Sequence, residues 1–581
     1  MLSVLITTSG TGERLGFLTK YTNKSLVGVG DKYAICYIIE NYPITTEFII
    51  TLGYHGDIVR QFLTLAYPHH CFVFIEIDNF VGPGSSLGYS LLKTKHLLQK
   101  PFVFHCCDAV ITCPVFDFDA LNGYRYNCLC VCNSEDNLSY ANVCVSFPDK
   151  RIWEINGKGH VQFDYVYTGI SYIYDYSSFW ECLELKYQEN PLNGALSDVD
   201  SLHCMMREKE CVFQSIVLNE GQWYDTGNMK SYQKIQEVFS RNYSILSKPN
   251  ESICFMDFQY AHFQHAQSDL VATAIHDTRV IKFNCDKTLN RKRVMRAGIL
   301  GSTVPKIMGS SDNFMCMEKV EGAVLSDYYV HGEIGGLLNW AIENLWNSRC
   351  QKPEYLDMCR RFYFDKTLDR IRSCSFLSGP GGVGGGDGGA IEYSVINGLS
   401  MPSIFSLMKS LEEKAWSILA TDTFYPFHGD FILDNIMKTR CRGGGGDGGG
   451  FVLIDWRHEF DGELVYGDIY YDLAKLRHNI FFNHKNITDG LFDVRVGCCG
   501  SSSSSSVIVD MKCNYFLVQQ LEDYNRFVLD KGFDMNKIRI LTALIWMNMA
   551  SLYEGRLAMF LFYFGKYHLF LSLRELGMLD V

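Results

Sequence analysis

The sequence predicts an α/β protein in two parts: a domain of alternating strands and helices, then a small β-rich lobe and a helical lobe. Short β-rich runs alternate with helical runs over residues 1–240. Such alternation predicts βαβ units and a mostly parallel sheet covered on both faces. A second β-rich set begins near residue 278, after the polar stretch 241–255, and from about residue 325 the chain turns helical.

Each element follows from a local run of residue types. Strands are expected where β-branched and aromatic residues fill runs of about four to eight residues, and helices where apolar residues recur with a helical period. The predicted strands are SVLIT (3–7), FIITLGY (48–54), CFVFIEI (71–77), PFVFHCCD (101–108), TRVIKFN (278–284) and NFMCMEKV (313–320). The predicted helices cover residues 34–42, 55–66 and 85–99.

Three cysteines alternate in one further run. Cys128, Cys130 and Cys132 would share one face of a strand, since successive side chains of a strand point to opposite faces. A metal cluster is one interpretation. No His/Cys pair at zinc spacing accompanies them, which favours apolar thiols in a hydrophobic core.

Composition narrows the class of protein. Hydrophobic residues make up 47% and charged residues 20% of the 581 residues, which is enough to bury sizeable cores and excludes general disorder. The formal net charge is -12 and no long Lys/Arg run occurs, so we expect no nucleic-acid partner. An acidic protein that handles phosphates must concentrate positive charge locally or use a metal ion.

The expected location is the cytoplasm, without a membrane segment. The opening MLSVLITTSG has no basic region, so it does not resemble a signal peptide. The apolar stretch 543–571 is interrupted by Glu554, Arg556 and Lys566, which fits a packed helical lobe better than a membrane span. The 22 cysteines do not form a short disulfide scaffold, so reduced thiols are expected.

Glycine- and serine-rich tracts interrupt the second half of the chain. They occupy residues 379–389, 443–450 and 500–506, and such runs predict flexible linkers.

The first candidate site begins with a glycine loop directly after the first strand, in ITTSGTGERL (6–15). Gly10 and Gly12 would let backbone amides approach a triphosphate, and Arg14 would neutralise it. Lys24 follows ten residues after Arg14. A glycine loop alone is weak evidence for a phosphate-binding site, but its combination with Arg14 and Lys24 is stronger evidence.

This region resembles the nucleotide-sugar pyrophosphorylase family. The resemblance runs from GTGERLGFLTKYTNKSL through GPGSSLGYSLL (82–92), PFVFHCCDAV (101–110) and TGISYIY (168–174) to WYDTGNMKSY (223–232). Asn23 replaces the family's usual proline, and Glu13 replaces a usual Thr or Ser. The five segments occur in order over about 230 residues.

The resemblance implies a role for each matched residue. Arg14 and Lys24 would be catalytic, Gly10, Thr11 and Gly12 would bind the nucleotide, and Asp108 and Asp225 would hold Mg²⁺. Gly88, Lys158 and Gly169 would bind the substrate. In the implied reaction, a phosphate oxygen of the acceptor attacks the α-phosphorus of a nucleoside triphosphate (CTP, UTP, GTP or dTTP), and pyrophosphate leaves.

The second candidate site combines HGDFILDN (428–435) with VLIDW (452–456). This pair resembles the aminoglycoside-phosphotransferase and choline-kinase superfamily. The resemblance implies Asp430 as catalytic base, and Asn435 and Asp455 as Mg²⁺ ligands. It also gives Asp472 and His428 structural roles, in which Asp472 hydrogen-bonds the catalytic loop and His428 braces it.

The same resemblance extends upstream into the β-rich lobe. Lys282 in VIKF would face the phosphates of ATP, and the hinge strand in 314–322 would bind adenine through Glu318 and Val320. The next helical run, 287–303, contains no carboxylate to pair with Lys282.

Together these resemblances imply a Rossmann-like mixed-sheet nucleotidyltransferase domain (1–245) followed by a bilobal, protein-kinase-like α+β phosphotransferase domain (246–581). Its small lobe would cover about 255–322 and its helical lobe about 323–581. The expected function is bifunctional. The kinase would phosphorylate a small hydroxylated substrate, and the nucleotidyltransferase would activate the product.

Several alternatives stay open on the sequence. A sugar is favoured as substrate, for a surface polysaccharide or capsule precursor; the alternative is an amino-alcohol kinase with a cytidylyltransferase of the phosphocholine type. A non-catalytic regulatory subunit is a further alternative, although it gives no reason to keep Arg14, Lys24, Asp108 and Asp225. An antibiotic-modifying kinase leaves residues 1–240 unexplained. Whether the chain forms a homo-oligomer is not decided.

Overall fold

A computed structural model gives the fold of the chain. It describes residues 2–239, 251–257, 278–327, 333–377, 392–439, 450–483, 486–498 and 505–579, apart from positions 122, 135, 137, 488, 513 and 514. The polar stretch 241–255 and the glycine and serine tracts lie mostly or wholly outside these residues. Two compact units are present: unit 1 is residues 1–290 with 307–319, and unit 2 is residues 291–306 with 320–581. The predicted domain boundary at 245/246 stays a prediction.

Unit 1 is a mixed α/β structure. Its strands are Ser3–Thr7 (β1), Glu47–Leu52 (β2), Cys71–Glu76 (β3), Phe102–Cys106 (β4), Ala109–Ile111 (β5), Asn127–Cys132 (β6), Asn142–Val145 (β7), Arg151–Asn156 (β8), Tyr165–Ile173 (β9), Phe213–Leu218 (β10), Trp223–Asp225 (β11), Glu251–Asp257 (β12), Thr278–Asn284 (β13), Ile307–Ser310 (β14) and Phe314–Glu318 (β15). Its helices are Ala34–Ile39 (α1), Gly56–Ala66 (α2), Leu87–Leu92 (α3), Phe118–Leu121 (α4), Tyr176–Glu189 (α5), Asp198–Glu208 (α6) and Met229–Val238 (α7).

Nine strands of unit 1 form one sheet, in the order β3-β2-β1-β4-β9-β6-β10-β8-β7. The half that contains β1 to β4 is parallel, as the strand–helix alternation predicts. Strand β9 runs antiparallel to both β4 and β6. Strands β6 and β10 pair in parallel, but β8 runs antiparallel to both β10 and β7. The sheet is therefore mixed, and it is continuously parallel, as expected, only in its first half.

Both faces of the sheet are buried. In β6, Cys128, Cys130 and Cys132 pack into the hydrophobic layer on one face. Leu129 and Val131 of the same strand pack into the layer on the other face. The interpretation of these thiols as apolar core residues is confirmed by this placement.

The helix predicted over 85–99 is shorter than expected. Helix α3 ends at Leu92, and turns with hydrogen bonds between residues three apart follow it. The Thr94 hydroxyl donates to the carbonyl of Leu91 (2.7 Å), so it competes with the helical pattern.

The strands β12, β13, β15 and β14 form a separate antiparallel sheet. Strand β13 spans Thr278–Asn284, which confirms the predicted strand at 278–284. Lys282 is buried and pairs with Met315 of β15. Helix α8 (Lys287–Leu300) follows, and from Arg291 it belongs to unit 2.

Unit 2 is mainly helical, as predicted from about residue 325. Its further helices are Glu333–Asn344 (α9), Glu354–Arg360 (α10), Lys366–Arg372 (α11), Ile404–Lys414 (α12), Trp416–Leu419 (α13), Ile469–Phe481 (α14), Tyr515–Asp530 (α15), Met535–Ala550 (α16) and Gly555–Glu575 (α17). Its strands are Gly322–Val324 (β16), Cys350–Gln351 (β17), Val395–Ile396 (β18), Leu399–Ser400 (β19), Thr423–Pro426 (β20), Ile436–Thr439 (β21), Phe451–Leu453 (β22), Tyr466–Gly467 (β23), Phe492–Cys498 (β24) and Ser505–Met511 (β25).

Helices α16 and α17 contain the apolar stretch 543–571 and pack against each other. Lys566, which interrupts this stretch, is buried in an ion pair with Glu392 (2.5 Å). Among the described residues, no helix combines the length and apolarity that crossing a membrane requires.

Candidate functional sites

Unit 1 contains a cavity of about 450 Å³ where β1 and β4 end. Because β1 and β4 are parallel neighbours, with Thr7 opposite Cys106, the loops that follow them meet at one edge of the sheet. This edge is where open α/β sheets bind ligands. Most residues predicted from the sequence for the first site line this cavity: Gly10, Thr11, Arg14, Lys24, Asp108, Lys158, Gly169 and Asp225.

The glycine loop packs directly on Lys24. Gly12 has a φ of 69°, in the left-handed region that favours glycine. A Cβ at this position would lie 2.9 Å from the Cβ of Lys24. Gly12 therefore allows the loop to pass close to Lys24. Gly12 itself does not line the cavity.

Asn23, where the family usually has proline, anchors Lys24 to the sheet. Its buried side-chain amide donates to the carbonyls of Thr8 (2.8 Å) and Tyr54 (2.6 Å). Its side-chain oxygen accepts from the backbone N–H of Ser25 (2.9 Å) and caps the short helical turn that begins at Lys24. Asn23 thus makes hydrogen bonds that a proline at this position could not make.

Lys24 and Asp108 form an ion pair in the cavity, with 3.2 Å between Nζ and Oδ2. Burial raises the pKa of Asp108, but the charge of Lys24 outweighs it, so the pKa lies below its ordinary value. Burial likewise lowers the pKa of Lys24, and the charge of Asp108 reverses this and raises it. Both groups are therefore charged at neutral pH.

Asp225 approaches Asp108 through the pairing of β11 with β5, in which Asp225 lies opposite Ala109. A Cβ on Gly227 would lie 3.0 Å from an oxygen of each carboxylate, so these two oxygens are separated by no more than twice that distance. Burial raises the pKa of Asp225, and the charge of Asp108 raises it further. The two carboxylates repel each other across a gap that only glycine leaves open.

These two carboxylates fit a divalent cation. Mg²⁺ prefers oxygen ligands and is usually bound by one or two carboxylates together with substrate phosphates. The described residues include no group of three or more His, Cys, Asp or Glu side chains arranged to hold a metal. A Mg²⁺ ion at Asp108 and Asp225 would therefore take its other ligands from phosphate and water.

The structure adds cavity residues that the sequence did not single out. Tyr140 donates its hydroxyl to Asp225 (2.9 Å) and lies edge-on to Trp223, with 5.4 Å between the ring centroids. Asp198 accepts a hydrogen bond from the hydroxyl of Tyr167 (2.9 Å), and burial raises its pKa to about 6. Trp223 belongs to the quoted WYDTGN motif, but Tyr140 and Asp198 carry no recognisable signal.

Gly88 does not line the cavity. A Cβ on this residue would lie 2.4 Å from Leu196, and its N–H donates to the carbonyl of Leu196 (2.8 Å). Its neighbours Ser86, Leu87 and Ser90 line the cavity instead. Gly88 allows close packing, and its predicted substrate contact stays a prediction.

The loop of the second site is held together within unit 2 by Asp472. Its two carboxylate oxygens accept from the backbone N–H groups of His428 and Gly429, each at 2.7 Å. Burial raises the pKa of Asp472 to about 6. These contacts confirm the predicted hydrogen bonding of Asp472 to the loop.

His428 lies buried inside the same loop. Its Nε2 is 2.9 Å from the carbonyl of Ile454, and the backbone N–H of Asp430 donates to its Nδ1 (3.3 Å). Burial lowers the pKa of His428 to about 4, so the ring is neutral at pH 7. The histidine joins the loop to the chain segment that carries Asp455, as the bracing role requires.

Asp430 is ionised and oriented by two neighbours. Lys475 of α14 lies 2.7 Å from its Oδ1, and the Asn435 amide donates to its Oδ2 (3.1 Å). Burial raises the pKa of Asp430, but the charge of Lys475 holds it well below its ordinary range. An ionised carboxylate can accept a hydrogen bond from a hydroxyl and orient that hydroxyl for attack.

Asn435 and Asp455 lie on adjacent chain segments. The backbone N–H of Ile454 donates to the carbonyl of Asn435 (2.8 Å), and Asp455 follows with a φ of 57°. Non-glycine residues adopt this left-handed conformation rarely, and such strain concentrates at functional sites. An amide oxygen and a carboxylate on neighbouring segments are donors that Mg²⁺ accepts.

Helix α8 contributes one residue that sequence reasoning missed. Arg296 is buried and donates to the carbonyls of Phe427 and Arg457. Its guanidinium lies 4.0 Å from the centroid of the Phe427 ring. Helix α8, which offers no carboxylate to Lys282, therefore supports the loop that carries Asp430 through Arg296.

The three residues predicted to bind ATP lie in different units. Lys282 and Glu318 belong to unit 1 and Val320 to unit 2, and their binding of ATP stays a prediction.

Comparisons with known proteins give likenesses of fold only. No family model and no curated protein sequence matches the chain. Among solved structures, a UDP-glucose pyrophosphorylase complexed with UDP-glucose is 16% identical, covers 41% of this chain and 98% of its own, and has a TM-score of 0.35. CTP:phosphocholine cytidylyltransferase from Streptococcus pneumoniae is 20% identical, covers 41% and 98%, and has a TM-score of 0.34.

A third solved structure, the inositol-1-phosphate CTP transferase from T. maritima, is 18% identical, covers 41% and 95%, and has a TM-score of 0.33. All three TM-scores are below 0.5.

Proposed function

We propose that the protein is a bifunctional transferase, in which unit 1 transfers a nucleotidyl group to a phosphorylated small molecule and the site around Asp430 produces that molecule by phosphorylation. The observation that carries the first activity is the meeting of Arg14, Lys24, Asp108 and Asp225 around one cavity. Both cations and both carboxylates are there, at the sheet edge where phosphate ligands bind.

In the nucleotidyl transfer, a phosphate oxygen of the acceptor attacks the α-phosphorus of the nucleoside triphosphate. The bond between the α-phosphorus and the bridging oxygen breaks, and pyrophosphate leaves with the electron pair. Arg14 and Lys24 stabilise the charge on this leaving group. Lys158 lines the same cavity and binds the acceptor phosphate.

Asp108 and Asp225 would hold Mg²⁺, which would supply charge neutralisation for the triphosphate. Lys24 keeps Asp108 ionised and available as a ligand, while Tyr140 and the N–H of Gly227 orient Asp225. These residues fix two carboxylates in place before any nucleotide arrives.

In the kinase reaction, a hydroxyl of the acceptor attacks the γ-phosphorus of ATP and its proton passes to the carboxylate of Asp430. The bond between the γ-phosphorus and the β–γ bridging oxygen breaks, and ADP leaves. Lys475 and Asn435 hold Asp430 in place for this step. Asn435 and Asp455 would hold the Mg²⁺ of ATP.

The two reactions are consecutive, so fusing their sites in one chain raises the local concentration of the intermediate. A sugar is the favoured substrate, and the product would be an NDP-activated precursor for a surface polysaccharide or capsule. The test is to incubate the full chain with Mg²⁺, ATP, each nucleoside triphosphate and a panel of sugars, sugar acids and amino-alcohols, and to identify the products by mass. Absence of any NDP-linked product from every phosphorylated candidate would refute the nucleotidyltransferase.

A further inference from the structure

Positively charged side chains gather around the ring of Phe362 in unit 2. The Lys366 Nζ lies 4.0 Å from the ring centroid, and the guanidinium carbon of Arg457 lies 4.8 Å from it. The backbone N–H of Arg457 donates to the carbonyl of His428 (3.0 Å), so this arginine is fixed to the loop that carries Asp430. Two basic side chains therefore approach one aromatic ring, and one of them is fixed to the loop of the candidate kinase site.

The helix that carries Lys366 is irregular at this point. Helices α10 and α11 are joined by a π-helical turn, Arg361–Asp365, which contains Phe362 and ends directly before Lys366. Turns of this type are rare in proteins, and those that do occur are often found at functional sites. Arg370 lies one turn beyond Lys366 on the same helix, and residues four apart share a face.

The nearby carboxylates are already engaged. Asp430 pairs with Lys475 (2.7 Å), and Asp461 pairs with Arg361 (2.8 Å). In the part of the chain that the structure describes, no carboxylate lies within 4.0 Å of the charged nitrogens of Lys366, Arg370 or Arg457. Within the described residues, the cluster thus has basic groups and no carboxylate in direct contact with them.

The basic neighbours of Lys366 disfavour its charged form. Burial, together with the charges of Arg457, Arg370 and Lys475, lowers the pKa of Lys366 to about 5 against the opposing effect of Asp461. Arg370 and Arg457 donate to the backbone carbonyls of Asn548 (3.4 Å) and Glu459 (2.9 Å), which bring no negative charge. A bound anion would favour the charged form of Lys366 and raise its pKa.

We infer that Lys366, Arg370 and Arg457 bind an anionic group, a carboxylate or a phosphate, on the molecule that Asp430 phosphorylates. This inference rests on the proposed kinase activity and names its substrate class. The acceptor is a hydroxylated acid, such as a sugar acid or a polyol phosphate, with its anion on the cluster and its reacting hydroxyl at Asp430. A cationic amino-alcohol would meet like charge, so the cluster disfavours the amino-alcohol alternative.

The test uses the full chain and four probe acceptors: D-gluconate for a carboxylate, glycerol 3-phosphate for a phosphate, D-glucose as neutral and choline as cationic. Calorimetry measures binding of each probe in the presence of ADP and Mg²⁺, and ADP release measures phosphoryl transfer from ATP. We expect binding and turnover with one of the two anionic probes, and which of them binds identifies the anion.

Three variants locate the binding. Lys366→Met should weaken binding of the anionic probe by about 10–100-fold, as expected for a lost hydrogen bond to a charged group, with the KM for ATP within twofold. Lys366→Arg should restore most of the binding. The matched control is Lys409→Met, on the exposed side of α12, where the side chain is 73% exposed and pairs with Glu413; it should change neither quantity.

The possible results distinguish a failure of the anion-site inference from a failure of the proposed kinase activity. Turnover with D-glucose or choline, without binding of either anion, would overturn the inference and keep the kinase. Anion binding that depends on Lys366, without phosphoryl transfer to any probe, would leave an anion site but overturn its assignment to a kinase acceptor. A Lys366→Met variant that raises the KM for ATP instead would place the nucleotide on the cluster and overturn the inference.

Discussion

The two sites of this chain are built on the same ion pair in opposite surroundings. Lys24 and Asp108 in unit 1 are 3.2 Å apart, and Lys475 and Asp430 in unit 2 are 2.7 Å apart. In both pairs burial raises the pKa of the carboxyl group and the lysine lowers it below its ordinary value. Taken alone, the pairs would suggest the same chemistry.

The charged groups around the two ion pairs differ. Beside Asp108 lies a second carboxylate, Asp225, so the unit 1 site has negative charge to offer a cation. In unit 2, Arg457 is hydrogen-bonded to the loop that carries Asp430, and Lys366 shares the Phe362 ring with Arg457, so basic groups rather than a second carboxylate accompany this pair. What a buried Asp–Lys pair does therefore depends on the charges around it, and the variants below change one part of each site at a time.

The largest effect is expected when the unit 1 pair is broken. Asp108→Ala removes a Mg²⁺ ligand and leaves Lys24 buried without its partner, so nucleotidyl transfer should fall by more than about 10³-fold. Phosphorylation by the unit 2 site should stay within twofold. Product masses and rates, measured with phosphorylated and unphosphorylated acceptor, check both statements. A folded variant that loses both activities would contradict two separate sites.

Breaking the unit 2 pair should cost about 10²–10⁴ in kinase turnover, the range of a lost general base. Asp430→Asn keeps the size of the side chain and should leave ATP affinity nearly unchanged, because the Mg²⁺ of the nucleotide is expected at Asn435 and Asp455. Asp455→Asn, in contrast, should weaken Mg²⁺–ATP binding as well as turnover. The measurement is turnover and nucleotide binding for both variants at saturating acceptor. Near-normal turnover of Asp430→Asn would refute the catalytic-loop assignment.

A smaller effect is expected from widening the gap between the two carboxylates of unit 1. Gly227→Ala places a methyl group 3.0 Å from an oxygen of both Asp108 and Asp225, so one of them must move. Disturbing ligand orientation typically costs about 10–100-fold in metal affinity or activity, and we expect the Mg²⁺ concentration for half-maximal rate to rise accordingly. Gly157→Ala is the control, because a Cβ there meets nothing within 4 Å. Equal Mg²⁺ requirements for the two variants would show that the carboxylates do not share a cation.

The sequence predicted the residues that local motifs contain. Gly10, Lys24, Asp108 and Asp225 follow or form short strands with recognisable neighbours, and the structure brings them to one cavity. The first, parallel half of the sheet was equally predictable from the sequence, because βαβ alternation is a local pattern. The insertion of the antiparallel strand β9 between β4 and β6 could not be predicted from the sequence, since strand order depends on contacts between residues distant in sequence.

Residues that act through tertiary contacts escaped prediction. Tyr140 reaches Asp225 across 85 positions, and Arg296 reaches the Phe427 carbonyl across 131. Lys366 and Arg457 meet at Phe362 from separate parts of unit 2. No spacing rule links such pairs, so the charge balance that distinguishes the two sites was visible only in the fold.

The smallest expected effect concerns Asp198, the cavity carboxylate that the sequence did not reveal. Burial raises its pKa from 3.8 to about 6, so between these values the folded state binds a proton that the unfolded state has released. Stability from this group therefore falls as pH rises from about 4 to 6. Asp198→Asn does not titrate and keeps an oxygen to accept from Tyr167. We expect the variant to gain about 1–2 kcal/mol relative to the natural chain between pH 5 and pH 7.

Differential scanning calorimetry of the full chain at the two pH values measures this shift in relative stability. Asp78→Asn is the matched control, because hydrogen bonding from Tyr89 lowers the pKa of Asp78 to about 2. A lowered pKa contributes stability that is lost only as pH falls below about 4, so the difference between Asp78→Asn and the natural chain should not change between pH 5 and pH 7. If Asp198→Asn behaves in the same way, Asp198 is ionised in the folded protein. The cavity would then hold three negative charges against Arg14, Lys24 and Lys158, and its preference for a cation beside Asp108 would be stronger than the present charge balance indicates.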